Sequence, residues 1–522
     1  MEIVNNKALL VRTKNPDKIT SYIKKSRVVG QLAEDVYDVL VHWDLVNAKV
    51  LRNLGFKKTP APIEAQYKFP GVYKPFEHQK VTASFMTLHQ RAFCFNEQGT
   101  GKTASIAWAA DYLMTNGYIK RVLIICPLSI MDAAWRADLF KTLMHRRVDI
   151  AHGSSREKRI KVIESNAEFV IINPDGVESV RDELVAGGFD MIVIDECTSL
   201  KNPTTRRWKV INSIIRQDTW LWMLTGTPAA QSPMDAYGLA KIMNPKSVPS
   251  FIGAFRDKVM NKVTQFKYVP KPEAQQIVHD ILQPAIRFTK EECLDLPEIL
   301  YADRDTPLTA QQKKYYAILK KEMLIQTDGE DISAVNAAVN MNKLLQISSG
   351  AVYTDTGRVM EFDCGNKLTE MLAVVEETSH KTLVFCNFKH SIDVVQAYLT
   401  KHGVTSEAIH GGVSAKKRAE IFTSFQTESK IQVLVIQPQA AAHGVTLHAA
   451  NSIVWFGPVT SAEIYLQANA RVHRAGQKNP CTVVHLVSSP VEKRLYRALQ
   501  DRTLAQGSLL DMYKQEVQNG FE

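Results

Sequence analysis

From Arg121 onward the chain carries short apolar runs, each closed by a polar or turn residue: RVLIICP, EFVIINP, MIVIDE and LWMLTGTP. Unbroken apolar runs of this length fit strands buried on both faces of a parallel sheet, and the stretches between them read as helices. A second series follows in TLVFCNF, SEAIHG, IQVLVIQP, SIVWFGP and CTVVHLV, again with amphipathic segments between the runs. The pattern predicts an α/β protein built as two lobes in tandem. In open sheets of this kind ligands sit beyond the carboxyl ends of the strands, where the polar residues of these runs fall. Between Pro245 and about Gly350 the strand pattern disappears, and AQQKKYYAILKKEML and AVNAAVNMNKLLQI have helical periodicity. The expected organisation is therefore an N-terminal extension over 1–74, a first lobe over 75–245, helical insertions and a connector over 246–350, a second lobe over 351–490, and a helical segment over 491–522 that packs back across the lobes.

Composition narrows the class. A chain of 522 residues exceeds what one hydrophobic core usually supports, which agrees with two lobes. With 45% hydrophobic and 23% charged residues there is material for full cores, and no run reaches the apolar length of a membrane span, so membrane-spanning and disordered classes are set aside. The start, MEIVNNKALLVRTKNP, lacks the layout of a signal peptide, and an intracellular protein is expected. The seven cysteines are scattered and never form a Cys-x-x-Cys pair, which speaks against a disulfide framework or a structural zinc. Net charge is +10, and the first 75 residues hold 13 Lys and Arg against 7 Asp and Glu. That basic segment fits a polyanionic partner and is the expected seat of substrate choice.

Three blocks carry chemistry. In NEQGTGKT, Asn96 to Thr103, Gly99 and Gly101 let the backbone through Thr100 approach phosphate oxygens, and a helix starting near Lys102 aims its positive end at the same place. Lys102 is the expected counter-charge to the outer phosphates and Thr103 the expected magnesium ligand; Asn96 stands where the usual loop has its first glycine. Asp195 and Glu196 end the run MIVID, placed to hold the metal and to orient or deprotonate an attacking water. Far downstream, QANARVHRAGQ places Gln467, Arg471 and Arg474 at i, i+4 and i+7, so a helix would set all three on one face. Arginine suits the stabilisation of a transferring phosphoryl group because its fork stays charged and matches phosphate oxygens. One nucleotide gripped by two lobes is the implied design.

These residues resemble those of superfamily-two helicases, and within them the Swi/Snf-type DNA translocase ATPases. PLSIMDAAW (Pro127 to Trp135) resembles motif Ia, DECTSLKN (Asp195 to Asn202) motif II, LTGTP (Leu224 to Pro228) motif III, IHGGVSAKKRAEIFTSF the neighbourhood of motif IV, and QANARVHRAGQ motif VI. FEHQ (Phe76 to Gln79) sits where the family's adenine-recognising glutamine occurs, which makes Gln79 the candidate. The resemblance spans Pro75 to Leu499. It implies two RecA-like lobes, the first an ATP-binding lobe and the second a helicase C-terminal lobe, with ATP and Mg2+ as cofactors. It also implies a motor on double-stranded DNA that binds largely without regard to sequence, with Ser129, Lys201, Thr225 and Gly444 as candidate phosphate contacts.

The chain departs from the family pattern at Cys197 and Thr198, which replace a small residue followed by His, and in VIQPQAAAHGVTLHAA, where Gln437, Pro438, Ala441 and Ala442 replace Ser-Thr and a Gly pair. The ATP chemistry is expected intact and its coupling to DNA is where the chain differs. No chromatin-reading module or nuclear-type basic tract is visible, so a compact bacterial or viral enzyme of the cytoplasm is expected. A strand-separating or reannealing helicase is the nearest alternative, and a nucleotide-dependent DNA-binding scaffold with little turnover is the second.

Overall fold

The computed structural model describes residues 1–153, 155–229, 232–263, 268–293, 297–327, 334–353, 358–428, 430–441, 446–474 and 476–501. It divides into two units, the first made of Met1–Gly226, Gly238–Pro245 and Leu282–Cys293, the second of Thr227–Tyr237, Lys246–Ile281 and the chain from Leu294 onward.

The first unit opens with a four-stranded antiparallel sheet of β1 (Glu2–Val4), β2 (Ala8–Thr13), β3 (Ser26–Ala33) and β4 (Val36–His42), in the order β1-β2-β4-β3. Its alternating pattern puts Leu9, Val11, Val39 and Val41 on one face, and the following helix, Leu45–Asn53, adds Leu45, Ala48 and Leu51. These side chains join one continuous core with Ala83 and Met86 of the helix Glu77–Leu88 and with Trp108 of the helix Lys102–Thr115. The link between them is pinned as well: the Tyr67 hydroxyl bonds Asp111 Oδ2 at 2.5 Å and Trp108 Nε1 donates to the Pro70 carbonyl at 2.9 Å. Residues 1–74 thus carry a layer that shares its core with the helices behind them. Burial of Leu9, Val11, Val39, Val41, Leu45 and Leu51 is worth about 1.5–3 kcal/mol each, together comparable with the ~5–15 kcal/mol net stability of a typical protein. Deleting residues 1–66 is therefore expected to abolish soluble folded protein; a truncated chain with the wild-type thermal midpoint would contradict this.

Behind this layer lies a parallel sheet of β5 (Arg91–Cys94), β6 (Val122–Ile125), β7 (Val148–Ile150), β8 (Phe169–Ile172), β9 (Met191–Asp195), β10 (Trp220–Leu224) and β13 (Ala285–Ile286), ordered β13-β5-β10-β9-β6-β8-β7. Here β11 and β12 are Met260–Lys262 and Tyr268–Pro270, an antiparallel pair in the second unit. Strands β6 and β8 are buried at every residue, as their unbroken apolar runs require.

The second unit holds a parallel sheet of β14 (Ile299–Asp305), β17 (Lys381–Phe385), β18 (Ser406–Ile409), β19 (Val433–Ile436), β20 (Ala450–Trp455) and β21 (Cys481–Val487), ordered β14-β21-β20-β17-β19-β18; β15 (Ala351–Tyr353) and β16 (Val359–Glu361) form a separate hairpin. Apolar clusters cover both faces of the six-stranded sheet. The stretch 246–350, read as strand-free, does contain the helices Ala310–Thr327 and Ala334–Ser348, but it also carries β11 to β14. The strands escape a periodicity reading because β13 has two residues and β14 is a sheet edge with a half-exposed mixed sequence, ILYADRD. The helix Pro490–Gln500 packs within this unit: Glu492, fully buried, accepts from Lys367 Nζ at 2.9 Å, Ser348 Oγ at 2.6 Å and the Ser488 amide at 2.5 Å. The rest of the segment read as packing across the lobes, 502–522, lies outside the described residues. Among the described residues no helix is long and apolar enough to cross a membrane.

His485 of β21 is buried between the Tyr465 hydroxyl at 2.9 Å and Asp303 Oδ1 at 3.0 Å, and stacks on Tyr496. Burial lowers its pKa from 6.5, with Asp303 opposing. A histidine held neutral in the fold contributes stability that is full above the unfolded value of 6.5 and lost as pH falls below it. The thermal midpoint of the second unit is expected to drop on that acid limb, and His485→Gln to flatten the drop; an unchanged limb in the variant would contradict this.

Candidate nucleotide-binding site

The phosphate-loop sequence folds as a strand, loop and helix. Buried β5 runs into Phe95–Gly101, and the helix Lys102–Thr115 follows at once. Gly99 and Gly101 have φ of +88° and +79°, in the left-handed region that side chains rarely adopt. At Gly101 space forbids a side chain too, since a Cβ would fall 2.0 Å from Gln79 Nε2. The first helical hydrogen bond is that of the Ser105 amide to the Gly101 carbonyl, so the amides from Lys102 to Ala104 stand at the positive helix end, while the Thr100 amide turns back to the Glu97 carbonyl at 3.4 Å. Lys102 Nζ donates to the carbonyls of Asn96 at 2.8 Å and Glu97 at 3.2 Å, and Thr103 is half-buried beside it.

Gln79 comes to the loop on the helix Glu77–Leu88. Its Oε1 accepts from the Phe76 amide at 3.0 Å, closing the helix start, and its Nε2 donates to the Thr100 carbonyl at 3.2 Å. The neighbouring His78 Nε2 reaches the same carbonyl at 2.8 Å.

Asp195 and Glu196 stand at the carboxyl end of β9, in the same sheet as β5. Trp135 Nε1 donates to Asp195 Oδ2 at 2.8 Å and the Glu196 amide to Oδ1 at 2.9 Å. Burial pushes the Asp195 carboxyl up from its ordinary value, while the Lys102 charge and these two donors pull it back. Lys102, on the helix that follows β5, and Asp195, at the end of β9, thus belong to one sheet and its flanking helix. Glu196 has φ +49° and ψ +52°, a left-handed conformation that costs a non-glycine residue of order 1 kcal/mol or more and marks sites where direction matters. Gln98 Nε2 approaches Glu196 Oε1 at 3.5 Å.

Trp135, which the sequence presents only inside the PLSIMDAAW motif, joins the candidate site through its bond to Asp195. It is fully buried on the π-helical turn Met131–Arg136, a local widening that often accompanies functional sites. The mixed segment PLSIMDAAW carries no signal that its indole N–H is aimed at a carboxylate at the end of β9.

The downstream block departs from expectation. The helix Ala462–Asn469 ends before Arg471, so Gln467, Arg471 and Arg474 do not share a helical face. The chain tightens at Arg471, whose amide bonds the carbonyl of Ala468, and at Val472, whose amide bonds that of Asn469. Val472 is driven fully into the core, and the Leu447 amide takes the Arg471 carbonyl at 2.8 Å. Gln477 fixes the loop by donating to the carbonyls of Ala450, His448 and Val472. Gln467 and Arg471 still meet: Arg471 Nε donates to the Gln467 carbonyl at 3.1 Å, and both are buried. Arg474 is half-buried in the turn beyond.

Of the candidate DNA contacts, Ser129 is exposed on the turn Leu128–Ile130 and Lys201 is half-exposed after the turn Cys197–Leu200. Thr225 is completely buried after β10, with its amide on the Cys94 carbonyl, so this conformation presents no hydroxyl there to a phosphate. Gly444 lies outside the described residues. Cys197 is buried and Thr198 half-buried, while Gln437 Oε1 accepts from the Gly411 amide at 3.3 Å.

Comparison with known proteins finds the SNF2-related domain family over residues 78–349 and the helicase conserved C-terminal domain over residues 365–476. The chain is 26% identical over 479 residues to the chromodomain-helicase-DNA-binding protein 1-like of Danio rerio, covering 84% of this chain and 44% of that protein. It therefore spans less than half the length of that relative. A putative protein p41 of Acyrthosiphon pisum secondary endosymbiont phage 1 is 24% identical over 469 residues, covering 83% of this chain and 98% of its own length. Among solved structures, the Sulfolobus solfataricus SWI2/SNF2 ATPase core in complex with dsDNA matches with a TM-score of 0.42 and 20% identity, covering 87% of this chain and 96% of the other.

Proposed function

The chain belongs to the SNF2-related family, and on that premise we propose that it is an ATP-dependent DNA translocase, an ATPase stimulated by double-stranded DNA that moves along it and remodels DNA structures or displaces bound proteins. The observation that carries the reading is that the glycine loop leading into Lys102 and the pair Asp195 and strained Glu196 stand at the carboxyl ends of β5 and β9, in one parallel sheet of the first unit. In this reading 75–245 is the ATP-binding lobe and 351–490 the helicase C-terminal lobe, with 246–350 connecting them. The loop backbone from Gly99 to Gly101 and the helix start hold the phosphates, Lys102 neutralises their outer charge, and Gln79 reads the adenine. Thr103 and Asp195 offer the oxygen donors that Mg2+ prefers, and the ion would neutralise the outer phosphates. Glu196 orients and deprotonates the attacking water. For the transferring phosphoryl group the reading assigns Arg471 and Arg474 as the source of positive charge and Gln467 as a neutral hydrogen-bonding partner.

Duplex DNA is engaged through its phosphates, with Ser129 and Lys201 as contacts, so binding is independent of sequence and weakens steeply with salt. The phage relative matched over nearly its whole length favours a compact bacterial or viral member, working in the cytoplasm of a bacterial or virus-infected cell. Triplex displacement assayed beside duplex unwinding tests the motor: displacement without unwinding is expected, and unwinding of a plain duplex would place the chain among strand-separating helicases.

Trp135→Phe removes one donor from Asp195 while keeping the packing. The loss of one hydrogen bond to a charged group, about 1.5–3 kcal/mol, predicts at least a tenfold lower kcat with an unchanged circular dichroism spectrum. Because that donor pulls the Asp195 carboxyl down, its loss moves the acid limb of the pH–rate profile to higher pH. A variant with the wild-type rate and profile would remove Trp135 from the account.

A further inference from the structure

Asn96 occupies the place where a phosphate loop usually has its first glycine, and the structure gives its side chain two buried jobs. It is 1% exposed. Its Nδ2 donates to Thr82 Oγ1 at 2.8 Å, and its Oδ1 accepts from the Phe288 amide at 3.0 Å. Thr82 lies one turn beyond Gln79 on the same helix, and its own hydroxyl donates to the His78 carbonyl at 2.7 Å. Phe288 follows β13, whose course is sewn to β5 and the loop by the Phe95 amide on the Ile286 carbonyl and the Glu97 amide on the Phe288 carbonyl. The Phe288 ring in turn lies edge-on to His78, with centroids 6.0 Å apart.

One residue therefore ties the helix that carries Gln79, the phosphate loop and the strand beside it. A second tie between helix and loop is the Thr100 carbonyl, which takes both His78 and Gln79. The two ties lie at opposite ends of the loop, so together they fix both the spacing and the tilt between Gln79 and the loop backbone. The Asn96 carbonyl also accepts from Lys102 Nζ, so the amide side chain anchors the same residue whose backbone holds the phosphate-binding ammonium. A glycine could supply the loop conformation but neither bond.

The geometry points to Asn96 as a positioning residue of the nucleotide site, one that sets the register between the base-reading Gln79 and the phosphate loop and thereby the preference for adenine nucleotides. It touches no reacting atom in this account, so its loss acts on binding and selectivity rather than on the chemical step. The assignment rests on the nucleotide-site reading above.

The test compares the full chain with Asn96→Ala, Thr82→Val, the double variant and Thr82→Ser, each assayed for kcat and KM with ATP and with GTP. Loss of a buried hydrogen bond predicts a KM for ATP raised about tenfold in Asn96→Ala and in Thr82→Val, with kcat within about threefold of wild type. The ratio of ATP to GTP efficiency falls in parallel. Because both substitutions cut the bond between Asn96 and Thr82, the double variant is expected to lose less than the sum of the two single losses, and Thr82→Ser, which keeps the hydroxyl, to retain wild-type selectivity. Unchanged selectivity in a folded Asn96→Ala, or effects of the two substitutions that simply add, would overturn the assignment. An equal loss of kcat with both nucleotides would overturn it too, by making the bond a general support of the fold. A wild-type chain that turns over neither nucleotide would instead defeat the underlying reading of the site.

Discussion

Glu196→Gln is expected to stop ATP turnover while leaving ATP bound. The substitution keeps the size of the side chain and its ability to take the contact from Gln98, but removes the carboxylate that accepts a proton. General-base catalysis by a positioned side chain contributes about 10²–10⁴-fold, so kcat is expected to fall by that order. Affinity is expected to hold within a few-fold, because Lys102, Gln79 and the loop backbone, the proposed nucleotide contacts, are untouched. The strained conformation of Glu196 strengthens the case, since a backbone held at φ +49° aims the carboxylate in a direction that an ordinary strand end would not. Single-turnover hydrolysis together with equilibrium binding of ATP separates the two effects. Hydrolysis at the wild-type rate in DNA would remove Glu196 from the chemistry.

Lys102→Ala is expected to do more, because the ammonium serves two purposes. In the proposed site it is the counter-charge to the outer phosphates, and removing one such preorganised donor costs about 10²–10³ in kcat. It also offsets the burial of Asp195, whose carboxyl would rise further without it and hold a magnesium ion less well. Both binding and turnover should therefore fall, in contrast to Glu196→Gln. The carbonyls of Asn96 and Glu97 lose their Lys102 donor as well, so a modest drop in thermal midpoint is expected beside the loss of activity. Turnover within a few-fold of wild type in a folded Lys102→Ala would contradict the site.

The parts of this design that sequence makes legible are those whose physics is local. Strands such as Val122–Ile125 and Phe169–Ile172 show as unbroken apolar runs because a parallel sheet buries both their faces. The phosphate loop shows because its glycines must adopt a left-handed backbone and its lysine must follow them, all within eight residues. Features set by tertiary contact do not show. The helix predicted through Arg474 stops at Asn469 because Val472 is claimed by the core and the loop around Leu447 takes the Arg471 carbonyl, neither of which the i, i+4, i+7 spacing encodes. Strand β13 is two residues long and exists through its pairing with β5. Trp135 reaches Asp195 across 60 positions of sequence. The N-terminal segment shows its alternation, but that its apolar face belongs to the core around Met86 and Trp108 is visible in the packing alone.

In the proposed function the nucleotide site of the first unit drives a motor gated by duplex DNA. The most direct test of this is the rate of ATP hydrolysis by the purified full chain with and without linear duplex DNA, over a range of salt. The account predicts slow turnover alone and a many-fold increase with duplex of any sequence, which fades as salt rises and is absent in Lys102→Ala. Turnover that is indifferent to duplex DNA, or that responds to single-stranded RNA instead, would contradict it.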